Sequence, residues 1–368
     1  MKILITGGAG FIGSHIVDRH LANGDEVRVL DSLEPRIHLG GRPTYLPKDV
    51  EFIKGSVLDR AVLRRALAGI DVVSHQAAYQ DYMPDFSKFL NVNAVGTALL
   101  YEVITEERIP VSKIIIASSQ AVYGEGQYRC AEHGFFLPPP RSQVQLAQGQ
   151  WEVQCPICQE VSQWLALDEA SVNPYNQYAV SKLAEEKVAL GLGWLHGIPT
   201  VALRYSITQG MRQSLFNQYS GVCRIFFSRA MTSKPLIVYE DGNQNRDFVH
   251  VQDVVDAHEL VLNTEEANYQ AFNVGSGRAM TVLNYAEAVA SRLGRELPTS
   301  VSGEYRRGDN RHSVSAISRL SKLGWTPKRA LSDIFDDFLA WVDENGGIPV
   351  HSSDAYAHMK AMGVVVGM

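Results

Sequence analysis

The sequence has few cysteines, no long apolar run and no excess of positive charge. Only four of its 368 residues are cysteine, too few for a disulfide framework in a chain of this length. No run of about 18 apolar residues occurs, and the first residues, MKILITGG, form an apolar segment without a signal-peptide pattern. These absences argue against disulfide-rich secreted and membrane-spanning proteins, so we expect a cytoplasmic protein without a membrane partner.

The charge balance also argues against a nucleic-acid partner. The formal net charge is -6, whereas proteins that neutralise phosphate backbones carry a basic surface. Hydrophobic residues make up 45% of the chain and charged residues 20%, which is typical of a globular protein. A chain of 368 residues is long enough to divide its core between two domains.

The first 31 residues have the pattern of a dinucleotide-binding unit. KILITGGAGFIGSHIVDRHLANG predicts a strand, a tight turn and a helix, with Gly7, Gly10 and Gly13 in the turn. Glycines at this spacing let the backbone approach a pyrophosphate at a helix N-terminus. The next strand, EVRVLDS, places Asp31 where a carboxylate binds ribose hydroxyls and repels a 2′-phosphate. The pattern therefore favours NAD over NADP.

Further strands and helices alternate up to KIIIASS, which predicts a doubly wound parallel sheet. Ligands of such sheets bind outside the carboxyl ends of the strands. The segments SHQAAYQ and ASSQAVYG follow two predicted strands, so they should meet the glycine turn in one crevice. This geometry places Ser118 and Ser119 near the cofactor.

A helix predicted from NPYNQYAVSKLAEEKVAL carries a tyrosine and a lysine on one face. Tyr178 and Lys182 are four residues apart, so their side chains are neighbours on a helix. A nearby ammonium favours the phenolate and brings the high pKa of tyrosine closer to neutral. Downstream of a dinucleotide-binding unit, this pair indicates a general acid/base.

Taken together, the motifs resemble the extended short-chain dehydrogenase/reductase family, in its nucleotide-sugar epimerase and dehydratase group. The resemblance covers about residues 1 to 345 apart from one insertion. The matching segments, in family order, are TGGAGFIGSH, DVVSHQAA, NVNAVGT, SSQAVYGEG, YAVSK, RYS, RDFVHVQDVVDA, FNVGSG and RRGDNR.

The resemblance implies roles for individual residues. Ser119 would bind the reacting oxygen, Tyr178 would be the acid/base, and Lys182 would hold the nicotinamide ribose. The further residues implied for the NAD site are Phe11, Ile12, Ser56, Val57, Ala77, Ala78, Asn93 and Ser118. Those implied for a nucleotide-diphosphate sugar are Gln80 and Ser119, together with Arg246 and Arg306 at the diphosphate and Asp309 on the nucleoside side.

Three departures from the family pattern bear on the activity. Ser56 stands where the family usually has an aspartate, and Ile207 replaces the usual asparagine of the RYFN segment. Gln120 and Ala121 replace the Asp-Glu pair that the family's 4,6-dehydratases use to eliminate water. The resemblance thus implies an NAD-dependent 4-epimerase acting on a dTDP- or UDP-hexose such as dTDP-L-rhamnose. Two alternatives are an NAD(P)H-dependent 4-keto-sugar reductase and a non-catalytic protein that binds NAD or sugar nucleotides.

The insertion, residues 125–170, contains three of the four cysteines and shows no long periodic element. Cys130 and His133, and then Cys155 and Cys158, form two knuckles. Three thiolates and one imidazole complete a tetrahedral site for structural zinc. The alternatives are reduced structural thiols beside a surface histidine, or a Cys-x-x-Cys redox couple.

The sequence also suggests a division into domains. We expect an NAD-binding Rossmann domain over residues 1–200, interrupted by the insertion, and a smaller α/β substrate domain over 201–346. Residues 347–368 form a tail too short for a domain. The family resemblance implies a homodimer built from two helices of each dinucleotide-binding domain.

Overall fold

A computed structural model describes residues 1–81, 84–216, 221–296, 298–349 and 354–367. Its strands are β1 Lys2–Thr6, β2 Glu26–Asp31, β3 Glu51–Lys54, β4 Val72–His75, β5 Lys113–Ser119, β6 Gln127–Cys130, β7 Gly134–Phe136, β8 Gln163–Leu165, β9 Thr200–Tyr205, β10 Ile207–Gln209, β11 Leu236–Val238, β12 Asn245–Arg246, β13 Phe248–His250, β14 Gln270–Val274, β15 Met280–Thr281, β16 Thr299–Val301, β17 Tyr305–Arg306 and β18 Val365–Val366. Its α-helices are α1 Phe11–Ala22, α2 Arg60–Leu67, α3 Phe86–Phe89, α4 Gly96–Glu106, α5 Gln143–Ala147, α6 Gln177–His196, α7 Val222–Met231, α8 Val251–Leu262, α9 Val282–Arg292, α10 Ser318–Lys322, α11 Leu331–Glu344 and α12 Asp354–Ala361.

The central sheet has seven parallel strands in the order β3-β2-β1-β4-β5-β9-β14. Strands β1 and β5, KILIT and KIIIASS, are almost continuously apolar, as expected for a parallel sheet with both faces covered. The strand order reverses between β1 and β4, so a crevice opens there at the carboxyl ends of the strands. The predicted doubly wound parallel sheet is confirmed.

Helices cover both faces of this sheet. Successive side chains of a strand point to opposite faces, and accordingly Leu4 belongs to one core while Ile3 and Ile5 belong to another. The first core is covered by α2, α4 and α6, with Leu100 fully buried. On the other face α1 packs against α8, and Ile16 of α1 is fully buried. The carboxyl end of the sheet is left open between these layers.

The chain returns to this sheet after residue 200, which corrects the predicted domain boundary. Strands β9 and β14 both belong to the seven-stranded sheet, so a boundary at residue 200 would cut through it. A separate core forms where α7, α9 and α11 meet, around the fully buried side chains of Phe227, Tyr285 and Phe338. This smaller region contributes the second wall of the crevice. Along the chain, the segments of this smaller region alternate with β9 and β14. The sequence did not show this, because the sheet that a strand joins depends on long-range pairing.

The insertion folds as a three-stranded antiparallel sheet in the order β7-β6-β8, with the short helix α5 between β7 and β8. In this sheet Cys130 pairs with Gly134, whose φ of 75° closes the turn around His133. A short bridge between Gln154 and Val161 encloses the second pair of cysteines. These strands are short, as expected from a segment whose sequence shows no long periodic element.

The tail also contacts the rest of the chain. Val365 and Val366 pair antiparallel with Arg306 and Tyr305, so the tail lies beside the predicted diphosphate site. Residues 350–353 and Met368 of this predicted tail lie outside the described residues. Within the described ranges, none of the helices has the length and apolar character needed to cross a membrane.

Candidate active site

The first strand leads into a glycine turn whose backbone packs closely against neighbouring backbone. Gly7 has a φ of 67°, and a Cβ there would lie 2.7 Å from the backbone nitrogen of Ala77. A Cβ on Gly13 would lie 2.3 Å from the carbonyl oxygen of Gly7, so both positions require glycine. Gly10 is the N-cap of α1, which begins at Phe11. The turn can therefore hold a pyrophosphate against the positive end of a helix.

Asp31 ends β2 and lines the same cavity as the glycine turn. Its Oδ2 accepts the N–H of Ala9 at 3.0 Å, and its Oδ1 accepts the N–H of Leu33 at 2.8 Å. Burial raises the pKa of this carboxyl group. The two backbone contacts fix the carboxylate beside the turn.

Two arginines close to Asp31 in the sequence are engaged elsewhere. Arg36 makes an ion pair with Asp81 at 2.6 Å. Arg28 donates to Glu51 and to the carbonyl oxygens of Ala66 and Ala68, at 2.6 to 2.8 Å. Arg28 is thus held away from the turn, whereas Arg36 lines the cavity, where a 2′-phosphate would have to compete with Asp81 for it.

The cavity that contains the glycine turn has a volume of about 1340 Å³. The predicted cofactor residues that line it are Gly7, Gly10, Phe11, Ile12, Gly13, Asp31, Ser56, Val57, Ala77, Ala78, Ser118, Tyr178 and Lys182. Asn93 is the exception, because it is fully buried behind the wall. Its Oδ1 accepts the N–H of Tyr79 at 2.7 Å, and its Nδ2 donates to Ser181 at 2.9 Å. Asn93 thus supports the crevice without reaching its surface, which corrects its predicted place.

Ser119, Tyr178 and Lys182 face this cavity from two elements. Ser119 is the last residue of β5, and its Oγ accepts the N–H of Ala121 at 3.1 Å. Its hydroxyl hydrogen remains able to donate. Tyr178 and Lys182 lie one turn apart on α6, whose N-cap Asn176 holds the first turn with its side chain. The structure brings the three predicted catalytic residues to one cavity.

Two buried carboxylates on α6 support these residues, and the sequence analysis did not single them out. The ammonium of Lys182 donates to Glu185 and to the carbonyl oxygen of Ala117, both at 2.7 Å. Burial raises the pKa of Glu185 to about 7. Ser118 donates to Glu186 at 2.8 Å, so its hydroxyl is used within the wall. The i, i+3 spacing of Lys182 and Glu185 was the available signal.

Arg246, Arg306 and Asp309 share one corner of the cavity, and Gln80 also lines it. Asp309 accepts hydrogen bonds from Arg306 at 2.9 Å and from Arg246 at 3.3 Å. Burial alone would raise the pKa of Asp309. The guanidinium groups of Arg306 and then Arg246 outweigh burial and lower this pKa. A phosphate could compete with this carboxylate for both arginines, because guanidinium groups bind phosphate well.

The positions that depart from the family pattern lie in the same cavity. Gln120, Ala121 and Ile207 all line it. The Oε1 of Gln120 accepts a hydrogen bond from the hydroxyl of Ser313 at 3.0 Å. An amide and a methyl group therefore stand next to Ser119, and neither can act as a general acid or base at neutral pH.

We call the part of the cavity lined by Arg246, Arg306 and Asp309 the substrate corner. The insertion contacts it through Arg141. Its guanidinium donates to Glu240 at 3.0 and 3.1 Å and to the carbonyl oxygen of Asp309 at 3.0 Å. Its Nε lies 3.2 Å from Glu125, and the side chains of Arg141 and Glu125 are each only 3% exposed. Burial raises the pKa of Glu125 to about 7. The insertion is thereby fixed to the loop that carries Asp309.

A second buried arginine completes this network. Arg311 donates to Glu152 of the insertion at 2.6 and 2.9 Å, to Asp241 at 2.7 and 2.9 Å and to Glu240 at 2.9 Å. Its backbone N–H donates to Glu125 at 2.6 Å. We refer to the members of this network as the ion cluster: Glu125, Arg141, Glu152, Glu240, Asp241 and Arg311. The ion cluster joins three parts of the chain that are distant in sequence.

The Cys and His residues of the insertion come together as predicted. The Nδ1 atom of His133 lies 3.6 Å from the sulfurs of both Cys130 and Cys155, and the sulfurs of Cys130 and Cys158 are 3.7 Å apart. One ligand atom from each residue lies within 4.8 Å of the others. All four cysteines of the chain are free thiols. The N–H of Ile157 points to the sulfur of Cys155 at 3.5 Å.

Comparison with known proteins agrees with this geometry. The chain matches the model of the NAD dependent epimerase/dehydratase family over residues 3–143 and 158–275. A dTDP-L-rhamnose 4-epimerase of Burkholderia thailandensis is 34% identical, over 93% of this chain and 94% of that protein. The match covers nearly the full length of both chains.

Two solved structures have the same fold. A UDP-glucose 4-epimerase of Thermotoga maritima, solved with UDP-glucose, has a TM-score of 0.74 and 26% identity, covering 94% of this chain and 99% of that one. A UDP-glucose 4-epimerase of Thermus thermophilus, solved in complex with NAD, has a TM-score of 0.73 and 29% identity, covering 93% and 98%. The resemblance inferred from the motifs is confirmed.

Proposed function

The chain belongs to the NAD-dependent epimerase/dehydratase family, and on this premise we propose that it is a nucleotide-sugar 4-epimerase. The observation that carries the proposal is the side-chain set at the end of β5 and on α6. Ser119, Tyr178 and Lys182 line the cavity of the glycine turn, whereas Gln120 and Ala121 provide no acid or base for elimination. We propose a dTDP- or UDP-hexose such as dTDP-L-rhamnose as substrate, supported by the relative from Burkholderia thailandensis.

The residues around the glycine turn fit NAD. Gly7 and Gly13 let the backbone of the turn pack tightly where a Cβ would collide with it, and Asp31 lines the same cavity as this turn. Val57 and Ala77 add apolar surface to its wall. When bound, NAD supplies a reversible hydride acceptor for C4 of the sugar.

The side chains supply proton transfer and orientation. Tyr178 takes the proton of the C4 hydroxyl as the sugar becomes a 4-keto sugar, and returns it after the sugar presents its other face. Lys182 lies one turn after Tyr178 on α6, and Glu185 holds its ammonium at 2.7 Å. Ser119 donates a hydrogen bond to the reacting oxygen. Each residue works in both directions, as inversion at one carbon requires.

Arg246 and Arg306 are proposed to bind the diphosphate, since both line the substrate corner and both now share the carboxylate of Asp309. When the diphosphate displaces Asp309 from Arg246 and Arg306, the carboxylate of Asp309 can accept hydrogen bonds from the nucleoside. Gln80 lies across the same cavity and is proposed to contact the sugar.

We also propose that the insertion binds one structural zinc ion. Tetrahedral zinc, with bonds of about 2.3 Å to sulfur and about 2.0–2.1 Å to nitrogen, separates two sulfurs by about 3.8 Å and a sulfur from a nitrogen by about 3.6 Å. The corresponding distances here are 3.7 Å between Cys130 and Cys158 and 3.6 Å from His133 to Cys130 and Cys155. Four protein ligands leave no open position, so the ion would stabilise the insertion and take no part in the reaction.

A homodimer is proposed from the family resemblance and from exposed apolar side chains near α4 and α6. Leu90 and Val95 precede α4 and are 43% and 51% exposed, and Trp194 and Leu195 at the end of α6 are 72% and 66% exposed. Large exposed apolar groups on adjacent helices favour association. Light scattering that returned the 40.7 kDa mass of one chain would contradict the dimer.

The function is tested by incubating the purified protein with a panel of dTDP-, UDP- and GDP-sugars and following the products by NMR. We expect one or more sugars to equilibrate with their C4 epimers without net NADH formation. Conversion that consumed added NADH stoichiometrically would instead identify a reductase. If the protein bound NAD but changed no sugar nucleotide, the epimerase proposal would be wrong.

A further inference from the structure

Helix α7 carries a buried arginine that the proposed reaction does not use. Arg224 is 1% exposed and lines the cavity shared by the glycine turn and the substrate corner. Within the described ranges, no atom accepts a hydrogen bond from its Nε or its Nη1. Buried polar groups in native proteins almost always have partners. The missing acceptor therefore points to a ligand.

Arg224 differs from two other buried arginines, Arg204 and Arg311, whose guanidinium groups bind carboxylates. Arg204 makes two hydrogen bonds to Glu186 at 2.6 and 2.9 Å, and Arg311 binds several carboxylates of the ion cluster. Burial lowers the pKa of the Arg224 guanidinium to about 10. The group therefore stays protonated at neutral pH and contributes an uncompensated positive charge, which is costly in a protein interior.

The start of α7 adds a second positive feature at the same place. Gly221 is its N-cap, with a φ of 90° and no side-chain cap, and Gly221, Val222 and Arg224 all line the cavity. The first N–H groups of a helix lack intrahelical partners, and its dipole favours an anion. The unpaired guanidinium and the uncapped helix start thus favour a negatively charged ligand between them.

The anion would lie in the same cavity as the proposed diphosphate site. Phe226 of α7 packs on Tyr285, with ring centroids 6.1 Å apart, and Tyr285 packs on Phe248 at 4.3 Å. Phe248 begins β13, two residues after Arg246 at the end of β12, so this stack ties α7 to the chain segment next to Arg246. Arg246, Arg306 and Arg224 all line the one cavity.

We propose that Arg224 is a third guanidinium that binds the diphosphate of the nucleotide sugar. This inference rests on the proposed function, because it assumes a nucleoside diphosphate in the substrate corner. Arg246 already donates a hydrogen bond to the carboxylate of Asp309 at 3.3 Å, so a phosphate must compete with this carboxylate. Arg224 has no such competitor among the described residues. Phosphate binding satisfies its Nε and Nη1 without breaking a protein contact, so Arg224 makes a large contribution to affinity.

The test compares nucleoside diphosphates with nucleosides, using Arg224→Met in the NAD-loaded protein. Calorimetry should show binding of UDP, dTDP or GDP weakened roughly 10- to 100-fold, as expected for lost hydrogen bonds to a charged group. Binding of the matching nucleoside, which lacks phosphate, should change by less than about 2-fold. Arg224→Lys should keep part of the affinity because it keeps the charge. Arg292→Met, which alters an exposed arginine paired with Asp336, is the matched control and should bind like the unmodified protein.

A second readout separates ligand binding from a structural role. Without nucleotide, Arg224→Met should unfold at the same or a higher temperature, because the substitution removes an uncompensated buried charge. A lower melting temperature with unchanged diphosphate affinity would overturn the proposal. So would a loss of affinity confined to hexuronate sugar nucleotides, since Arg224 would then bind a sugar carboxylate. If the unmodified protein bound no nucleoside diphosphate, the inference would also be wrong. Diphosphate binding that depends on Arg224, without turnover of any sugar, would instead leave this inference intact and contradict the proposed function.

Discussion

Replacing Arg141 with methionine should both destabilise the protein and weaken substrate binding. Arg141 is 3% exposed and contacts Glu125, Glu240 and the carbonyl oxygen of Asp309. Methionine keeps much of the side-chain volume but removes the charge and every hydrogen bond. The substitution therefore tests whether the insertion holds the substrate loop in place.

The expected loss of stability follows from the neighbours of Arg141. Removing one partner of a buried ion pair costs about 3–5 kcal/mol, because the other charge is left uncompensated. Here Arg311 still binds Glu240 at 2.9 Å. Glu125, with its pKa already raised to about 7 by burial, can take up a proton. We therefore expect a cost near the lower limit, about 3 kcal/mol. With an unfolding entropy of about 2.1 cal/mol/K per residue over 368 residues, this cost lowers the melting temperature by roughly 4 °C.

Thermal denaturation and steady-state kinetics together form the assay. The KM for the nucleotide sugar should rise more than kcat falls, because Arg141 supports Asp309 and does not contact the reacting carbon. Arg64→Met is the matched control, since Arg64 pairs with Glu107 at 2.8 Å on the surface and both side chains are about half exposed. It should cost at most about 1 kcal/mol. If Arg141→Met behaved like this control in both assays, the insertion would not position the substrate loop.

Three further substitutions test the catalytic, cofactor and metal assignments. Tyr178→Phe should lower kcat about 10²–10⁴-fold while NAD stays bound; a fully active variant would contradict the acid/base role. Asp31→Ala should reduce the preference for NAD over NADP in competition binding, and an unmodified protein that bound NADP more tightly would contradict the assignment. Metal analysis should give about one zinc per chain. Cys155→Ser should lose that zinc and loosen the insertion. Cys223→Ser is the control, because Cys223 is a buried cysteine outside the cluster, and this variant should retain the zinc. Metal-free protein with an ordered insertion would refute the site.

Local sequence patterns predicted which residues of the glycine turn and of α6 line one cavity. The glycine spacing and Asp31 fall within one strand–turn–helix–strand unit, so their geometry depends on short-range contacts. The spacing of Tyr178 and Lys182 on a single helix is equally local. The four metal-site residues form two knuckles that a tetrahedral site brings together. In each case the residues of the site either lie close together in the sequence or are ligands of one tetrahedral site.

Features that depend on long-range pairing could not be predicted. Strands β9 and β14 join the main sheet although the chain visits the smaller region between them, and their apolar sequences fit either region. Asn93 supports the wall from behind because the helical turn that contains it directs its amide to Tyr79. The ion cluster combines Arg141 with Arg311, which lies far along the chain from it. The unpaired state of Arg224 exists only in the folded chain.

The central claim, inversion at C4 by a hydride that leaves and returns, is tested most directly with isotope. A substrate of the NMR panel is prepared with deuterium at C4 and incubated with the protein in ordinary water. We predict that the epimer keeps the deuterium at C4, with no proton gained from solvent at that carbon and no net NADH released. Loss of the deuterium to solvent would contradict the proposed reaction. So would formation of a 4-keto-6-deoxy sugar from a substrate that carries a C6 hydroxyl.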